Sequence, residues 1–253
     1  VFRQLVDVIS EVDSQMAQLE IVTGASDARL NKYADTASKV ANETAGGIAD
    51  IVESTTTYAR LGYSLDESTE LSRLTAMLQN VGNIDVGSAQ SAITAIVKAF
   101  NVGSDELESV MDKLVQVGNN YPISVSELAE GMNNAGSMLS SAGNSLEESF
   151  ALLTSANATV QNISKSSTAL RTIAARLRKM KTELDDLGEA YTDADYDAIV
   201  QALTGHNVSL KDSNGELRNT YDILQDIAHI WDGLSSMEQA GLAEKIAGTR
   251  QQN

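Results

Sequence analysis

Helix-start signals recur at nearly even intervals through the middle of this chain, between residues 64 and 167. Six residues whose side chains can accept hydrogen bonds at a helix start lie 19 to 21 positions apart: Ser64, Asp85, Ser104, Ser124, Ser145 and Ser166. A Glu follows Ser64, Ser124 and Ser145 three residues later, which is the capping-box pattern. Each interval leaves room for a helix of about 15 residues and a short turn. The stretch therefore predicts an array of antiparallel helices of similar length.

The composition of the chain also favours helices. Of its 253 residues, 42% are hydrophobic but only 4% are aromatic, and Pro122 is the single proline. Aliphatic side chains must therefore fill the core, and almost nothing interrupts a long helix. The pair Gly46-Gly47 predicts a break between two helices near the N-terminus, because glycine weakens a helix interior.

Two segments carry an apolar seam with alternating spacings of three and four residues, which is typical of coiled-coil helices. The first seam comprises Phe2, Leu5, Ile9, Val12, Met16 and Leu19. The second comprises Leu170, Ile173, Leu177, Met180, Leu184 and Leu187, and it predicts one long helix.

The pattern changes after Gly188. Thr192 can cap a short helix, and two more amphipathic helices lie near the C-terminus. Between them, Asn214-Gly215 separates short apolar stretches, which predicts a β-hairpin near residues 207–218. We therefore predict an all-α fold, an array of antiparallel helices of about 15 residues with one small β-hairpin near the C-terminal part.

Three parts of the chain follow from these patterns. Residues 1–61 should form long N-terminal helices, and residues 62–187 the array of capped helices. Residues 188–253 should form a short helix, the β-hairpin and two C-terminal helices. The chain begins with Val1, so we expect it to be a piece of a longer protein.

The charge of the chain excludes several classes of partner. Its formal net charge is −17 and its pI is near 4.4. Such a surface repels nucleic acid and anionic lipid, so we predict no specific nucleic-acid partner. No apolar run is long enough to span a membrane, and no membrane partner is predicted for this segment. The absence of cysteine excludes disulfides and thiolate chemistry.

A calcium loop is the first candidate site. Asp193, Asp195 and Asp197 resemble the start of an EF-hand loop. The sixth position is Ala198 instead of Gly, and the twelfth is Thr204 instead of a bidentate Glu. Carboxylates in the first turn of a helix are better explained by the helix dipole.

A metal or catalytic centre built on histidine is equally poorly supported. His206 and His229 are the only histidines and are 23 residues apart in the sequence. Neither a G-x-S-x-G nor an H-E-x-x-H motif occurs. We therefore predict no catalytic, cofactor-binding or metal-binding residues, no cofactor, and a protein that is not an enzyme.

Basic residues concentrate in one predicted helix. Six of the 18 lie there: Lys165, Arg171, Arg176, Arg178, Lys179 and Lys181. They can offset nearby acidic residues such as Glu183 and Asp185. Alternatively, they form a docking face for an acidic partner or for another copy of the chain.

The order of these segments resembles one family. The resemblance lies in segments whose order and spacing match together: Val22–Ser26, Ala59–Glu67, Ala99–Ser104, Ile123–Leu128, Ala142–Ser149, Ala169–Ala174, Asp212–Gly215 and Ile223–Ile227 with Trp231. Taken together, they resemble the conserved core region of phage tail tape measure proteins. No single motif among them is specific to that family.

The resemblance implies a non-enzymatic structural protein that sets tail-tube length during assembly and assists genome delivery. It implies tail tube, baseplate or hub proteins and tail assembly chaperones as partners, and a homo-oligomer, with a trimer favoured. The expected location is the lumen of the tail tube or the tail end of the virion, and the host cytoplasm during assembly. A helical adaptor that docks a protein partner is the alternative.

Overall fold

The computed structural model describes residues 2–103 and 106–248, with side chains from residue 9 onward. Within these residues, all regular structure is helical. Thirteen helices are present there: α1 (Phe2–Thr23), α2 (Asp27–Glu43), α3 (Ile48–Arg60), α4 (Leu65–Gly82), α5 (Val86–Phe100), α6 (Leu107–Asn120), α7 (Val125–Ser141), α8 (Leu146–Val160), α9 (Ile163–Leu177), α10 (Lys181–Asp186), α11 (Asp193–Gly205), α12 (Thr220–Trp231) and α13 (Ser236–Ala247). The helices from α2 to α9 are 13 to 18 residues long.

The prediction of a β-hairpin near residues 207–218 is wrong. A tight turn forms there, but pairing stops at one isolated antiparallel bridge between Lys211 and Leu217, and the described residues contain no strand. The carboxylate of Asp212 accepts the backbone N–H of Asn214 at 2.8 Å. A side chain thus binds a backbone group inside the turn, and this local bonding competes with a ladder between strands.

Four of the six predicted helix starts are confirmed. Ser64 and Ser145 each form a complete capping box. The hydroxyl of Ser124 accepts the N–H of Glu127 at 3.2 Å, and the Glu127 carboxylate accepts the N–H of Ser124 at 2.8 Å. At the start of α5, the N–H of Ser88 donates to Asp85 at 2.9 Å.

The remaining two starts differ. Ser104 lies outside the described residues. Ser166 is not a helix start, because α9 begins one turn earlier at Asn162, whose side chain accepts the N–H of Lys165 at 3.0 Å. Ser166 is buried within the helix and donates its hydroxyl to the Asn162 carbonyl at 2.9 Å. Asn162 has the extended backbone that an N-cap requires.

The sequence predicted one helix break and one long uninterrupted helix, and only the break is present in the structure. The break at Gly46-Gly47 is confirmed, since it lies between α2 and α3. The single long helix predicted for residues 170–187 is wrong, because it divides into α9 and α10. Lys179, between them, has a φ of 56°, in the left-handed region that a continuous helix cannot include.

The described chain forms two compact units. The first comprises Val1–Val97, Val102–Asn119 and Ser124–Ala129. Its core is largely aliphatic, with the buried tyrosines Tyr33 and Tyr58. One cluster within it comprises Leu19, Leu30, Tyr33, Ala37, Val40, Ala41, Ile51, Val52, Leu65 and Ala76. This composition matches the low aromatic content of the sequence.

Hydroxyl side chains line the contact between α3 and α4 in this unit. Thr55 donates to the Ile51 carbonyl at 2.8 Å, and Ser72 donates to the Ser68 carbonyl at 2.8 Å. Thr55 also contacts Ser72 at 2.9 Å and accepts the hydroxyl of Tyr33 at 2.9 Å. The buried hydroxyls are thus bonded largely within their own helices.

The second unit comprises Lys98–Asn101, Asn120–Ile123 and Glu130–Asn253. The part of α7 that belongs to this unit lies close to its neighbours at Gly131. A Cβ atom there would lie 2.9 Å from Ile163 Cδ1 and 3.0 Å from Leu153 Cδ2. The absence of a side chain at Gly131 is therefore what lets these two large side chains approach the helix backbone.

Candidate functional site

A buried arginine organises the C-terminal half of the second unit. Arg176 lies in the last turn of α9, between Ala175 and Leu177, and only 6% of its surface is exposed. Its Nε and Nη2 atoms donate to the carbonyl oxygen of Lys245 at 3.1 and 3.0 Å. Lys245 lies in the last turn of α13, where carbonyl groups lack partners within the helix. Arg176 therefore caps the end of α13.

Tyr191 holds this arginine from the other side. The centre of the Tyr191 ring lies 4.8 Å from Cζ of Arg176, which is cation–π geometry. The Tyr191 hydroxyl donates to the Arg176 carbonyl at 2.8 Å. Burial raises the pKa of the Tyr191 phenol, while the charge of Arg176 acts in the opposite direction. The guanidinium is thus fixed in orientation.

A cavity of about 350 Å³ opens beside this arginine. It lies between the end of α9, the loop before α11, and helices α11 and α13. The residues that line it are Arg176, Glu189, Ala190, Asp195, Ala198, Gly241, Glu244, Lys245 and Gly248. Glu189 is buried, with 7% of its surface exposed. Both acidic and basic side chains therefore line the cavity.

The other basic residues of the predicted docking face lie in different surroundings. Lys165 is exposed in the first turn of α9. Arg171 is half-buried and donates from Nε to Glu183. Arg178 donates from Nη2 to the carbonyl of Ala142, and burial lowers the pKa of its guanidinium.

Lys179 and Lys181 converge on one carboxylate at the start of α11. Their ammonium groups lie 2.8 and 3.2 Å from Asp193 Oδ1. The hydrogen bonds from Lys179 and Lys181 lower the pKa of Asp193. Asp193 and Lys179 are both well exposed, so the net contribution to stability is small.

The structure thus does not bring the six basic residues to one open face. Arg176 points into the interior, whereas Lys165, Lys179 and Lys181 are exposed. The contact of Arg171 with Glu183 and the two contacts with Asp193 match the interpretation that these cations offset acidic neighbours. Docking of a partner on the exposed lysines stays a prediction.

Two of the three aspartates of the EF-hand-like run, Asp193 and Asp195, form contacts around the start of α11 instead of a shared metal site. Asp195 completes a capping box with Thr192, and those hydrogen bonds lower its pKa. Asp193 pairs with the two lysines. In residues 2–103 and 106–248, no group of three His, Cys, Asp or Glu side chains is placed to hold a metal ion.

Comparison with known proteins decides the family. The sequence profile of the family described as "Phage-related minor tail protein" matches residues 33–248, which is most of the chain. The chain belongs to this phage-related minor tail protein family. The resemblance to tape measure proteins is also confirmed, because the chain is 24% identical over 195 residues to the tape measure protein of Pneumococcus phage Dp-1.

This member of the minor tail family corresponds to only part of that relative. The matched region covers 75% of the chain but 17% of the phage Dp-1 protein. No solved structure matches the chain. Within the described residues, no helix has both the length and the apolar character needed to cross a membrane. The family assignment indicates a structural role in a phage tail.

Sequence reasoning grouped Arg176 with five other basic residues and missed its place in the interior of this minor tail protein. The available signal was its apolar surroundings, because Ala174, Ala175 and Leu177 flank it in a short helix. Glu189 and Tyr191 were missed as well. They follow Gly188 in a loop whose path depends on how α9 and α13 pack, which no local pattern reveals.

Proposed function

We propose that this chain is a structural segment of a phage tail tape measure protein. It scaffolds assembly of the tail tube, contributes to control of tube length and assists genome delivery, without catalysing a reaction. The family match over residues 33–248 carries this proposal, and the similarity to the phage Dp-1 tape measure protein supports it. The all-helical structure of the described residues fits a scaffold that acts through helix packing.

The proposed partners are components of the same particle. They are tail tube proteins, baseplate or hub proteins, and the chaperones of tail assembly. The proposed location is the tail tube lumen or the tail end of the virion, with the host cytoplasm as the site of assembly. The net charge of −17 supports protein partners over nucleic acid.

We further propose a homo-oligomer, with a trimer favoured. Along the apolar seam of α1, Leu19 is fully buried, Val12 is half-buried and Ile9 is 52% exposed. Between Leu19 and Ile9, the described part of the seam thus becomes progressively more exposed. Equivalent seams from other copies can cover it, because the three-and-four spacing is that of coiled-coil interfaces.

A change of packing inside the tube is part of the proposal. Two packed layers of helices are already about 20 Å thick, since one helix with its side chains is about 10–12 Å across. Several copies of such layers would not fit a bore that admits one DNA duplex. We propose that the compact packing belongs to the free protein or the tube end, and that helices extend inside the tube.

Deletion in the parent phage tests the proposed function. An in-frame deletion of the segment equivalent to residues 33–248 should abolish tail assembly or infection without a proportional shortening of tails. A deletion of equal length in a long helical region elsewhere in the same protein is the control, and it should shorten the tail as measured by electron microscopy. Normal tails and normal infection after the first deletion would overturn the proposal.

A further inference from the structure

Glu189 is a buried residue whose carboxylate has no ion-pair partner among the residues that the structure describes. Only 7% of its surface is exposed, and within residues 2–103 and 106–248 its carboxylate has neither an ion pair nor a hydrogen-bond donor. Burial of an ionised carboxylate is strongly unfavourable unless a cation or several donors compensate it. Glu189 also lines the cavity beside α13. The position of this side chain therefore needs an explanation.

Arg176, which borders the same space, forms no ion pair with this carboxylate. Arg176 is held by Lys245 and Tyr191, with Nε and Nη2 both directed at one carbonyl. A Cβ atom on Gly248 would lie 3.0 Å from Oε2 of Glu189 and 3.5 Å from Nη1 of Arg176. The two charged groups thus border the same space, and a side chain at Gly248 would crowd it. Arg176 thus lines one side of the cavity but forms no hydrogen bond with the Glu189 carboxylate.

The charge of the walls favours a cation as the occupant. Glu189, Asp195 and Glu244 line the cavity, against Arg176 and Lys245. The surrounding sequence is strongly acidic, because residues 182–244 contain 14 Asp or Glu and two basic residues, Lys211 and Arg218. A metal ion is a poor fit, since no three of the described His, Asp or Glu side chains converge to bind one. An elongated organic cation is therefore the type of occupant that fits both the charge of the walls and the lack of metal ligands.

We propose that this cavity binds an arginine side chain presented by a protein partner, with Glu189 as its counter-charge. A guanidinium forms two parallel hydrogen bonds to a carboxylate, which fits the free edge of Glu189. The cavity of about 350 Å³ has room for such a side chain with some water. This proposal deepens the structural role proposed above, and it rests on that role only in taking the partner to be a tail protein.

Titration of the isolated chain with a small probe tests the site directly. N-acetyl-arginine-N-methylamide, added up to about 20 mM because a single side chain binds weakly, should shift the NMR signals of Ala198, Gly241 and Gly248. The neutral analogue N-acetyl-norleucine-N-methylamide should leave these NMR signals unshifted. Glu189→Gln should weaken the arginine probe at least tenfold, whereas Glu216→Gln, at an exposed acid of the same region, should leave its affinity unchanged. Equal loss in both variants, or no shift with the arginine probe, would overturn the proposal.

Thermal stability separates a binding role for Glu189 from a structural one. Without a partner, Glu189→Gln should melt at the same temperature as the parent chain or higher, because the substitution breaks no ion pair or hydrogen bond among the described residues. A lower melting temperature would show that the carboxylate stabilises the fold, and would contradict the proposal. Neither experiment depends on tail assembly, so the cavity can fail its test while the proposed function stands.

The chain's own next cation provides a further test. Arg250 lies two positions after Gly248 in the sequence. Arg250→Gln should change neither the melting temperature nor probe binding. A loss of stability in Arg250→Gln that disappears in the Glu189→Gln background would assign the cavity to this chain instead of a partner.

Discussion

Arg176 binds the carbonyl oxygen of Lys245, 69 residues further along the chain, through two N–H groups of one guanidinium. The contact joins the end of α9 to the end of α13. Tyr191, from the loop between α10 and α11, covers the same guanidinium. Three separate segments of the second unit therefore depend on one side chain.

Replacement of Arg176 by lysine should destabilise the protein although it keeps the charge. Lysine has no rigid pair of N–H groups to direct at one carbonyl oxygen, and no planar group to stack on Tyr191. We expect a loss of about 2–3 kcal/mol in the free energy of unfolding, measured by urea denaturation. Lys165→Gln, at an exposed position of the same helix, should change it by less than about 0.5 kcal/mol. Equal effects of the two substitutions would contradict the role given to Arg176.

The start of α9 can be assigned by two alanine variants. Asn162→Ala removes the side chain that accepts the N–H of Lys165, and should cost about 1 kcal/mol. Ser166→Ala removes a hydroxyl that binds only backbone carbonyl oxygen, and should cost clearly less. Thermal unfolding followed by circular dichroism compares the two variants. A larger loss for Ser166→Ala would favour the helix start expected from even spacing.

The same substitution should have opposite effects at two helical glycines. Gly131→Ala places a methyl group within 3.0 Å of Ile163 and Leu153, and should destabilise the fold by about 1–3 kcal/mol through overpacking. Gly241→Ala meets nothing within 4 Å in α13, and should stabilise by about 0.5–1 kcal/mol. Chemical denaturation of both variants measures whether each substitution raises or lowers the free energy of unfolding. Stabilisation by Gly131→Ala would show that α7 does not approach its neighbours closely.

The capping carboxylate of Glu67 should make stability depend on pH in a defined direction. Hydrogen bonds from the side chain and backbone of Ser64 lower the pKa of Glu67 below its ordinary value of 4.5. Its contribution is therefore complete above that value and is lost as the pH falls through the lowered pKa.

Glu67→Gln measures this contribution, because the amide keeps the shape but cannot ionise. The parent chain should melt at a higher temperature than the variant at about pH 7, and the difference should vanish by about pH 3. Comparison of two chains at each pH removes the general effect of the net charge of −17. A difference that persists in acid would exclude the charged carboxylate as its source.

The features that sequence predicted well are those decided within a few residues. Ser64, Ser124 and Ser145 with their glutamates determine helix starts through bonds spanning three positions. The pair Gly46-Gly47 ends a helix for an equally local reason. The same reasoning failed at Ser166, because Asn162 is an equally good cap and the sequence does not rank the two.

Of the features that sequence missed, the hairpin has a local cause in the bonds of Asp212, and the place of Arg176 depends on tertiary packing. Asn214-Gly215 forms a turn, but the residues around it do not continue into paired strands. Arg176 is charged and lies in a basic run, so its burial follows only from the positions of α13 and Tyr191. The division of the chain at residues 61 and 188 stays a prediction, which limited proteolysis can check.

The capping boxes at Ser64, Ser145, Thr192 and Ser235 have a consequence for folding kinetics. Each box marks where a helix begins through bonds that need no distant segment. A chain that loses its tertiary contacts can therefore keep the registry of these helix starts. Recovery then requires docking of segments whose starts are already set, and the non-local contacts that form in this step limit its rate.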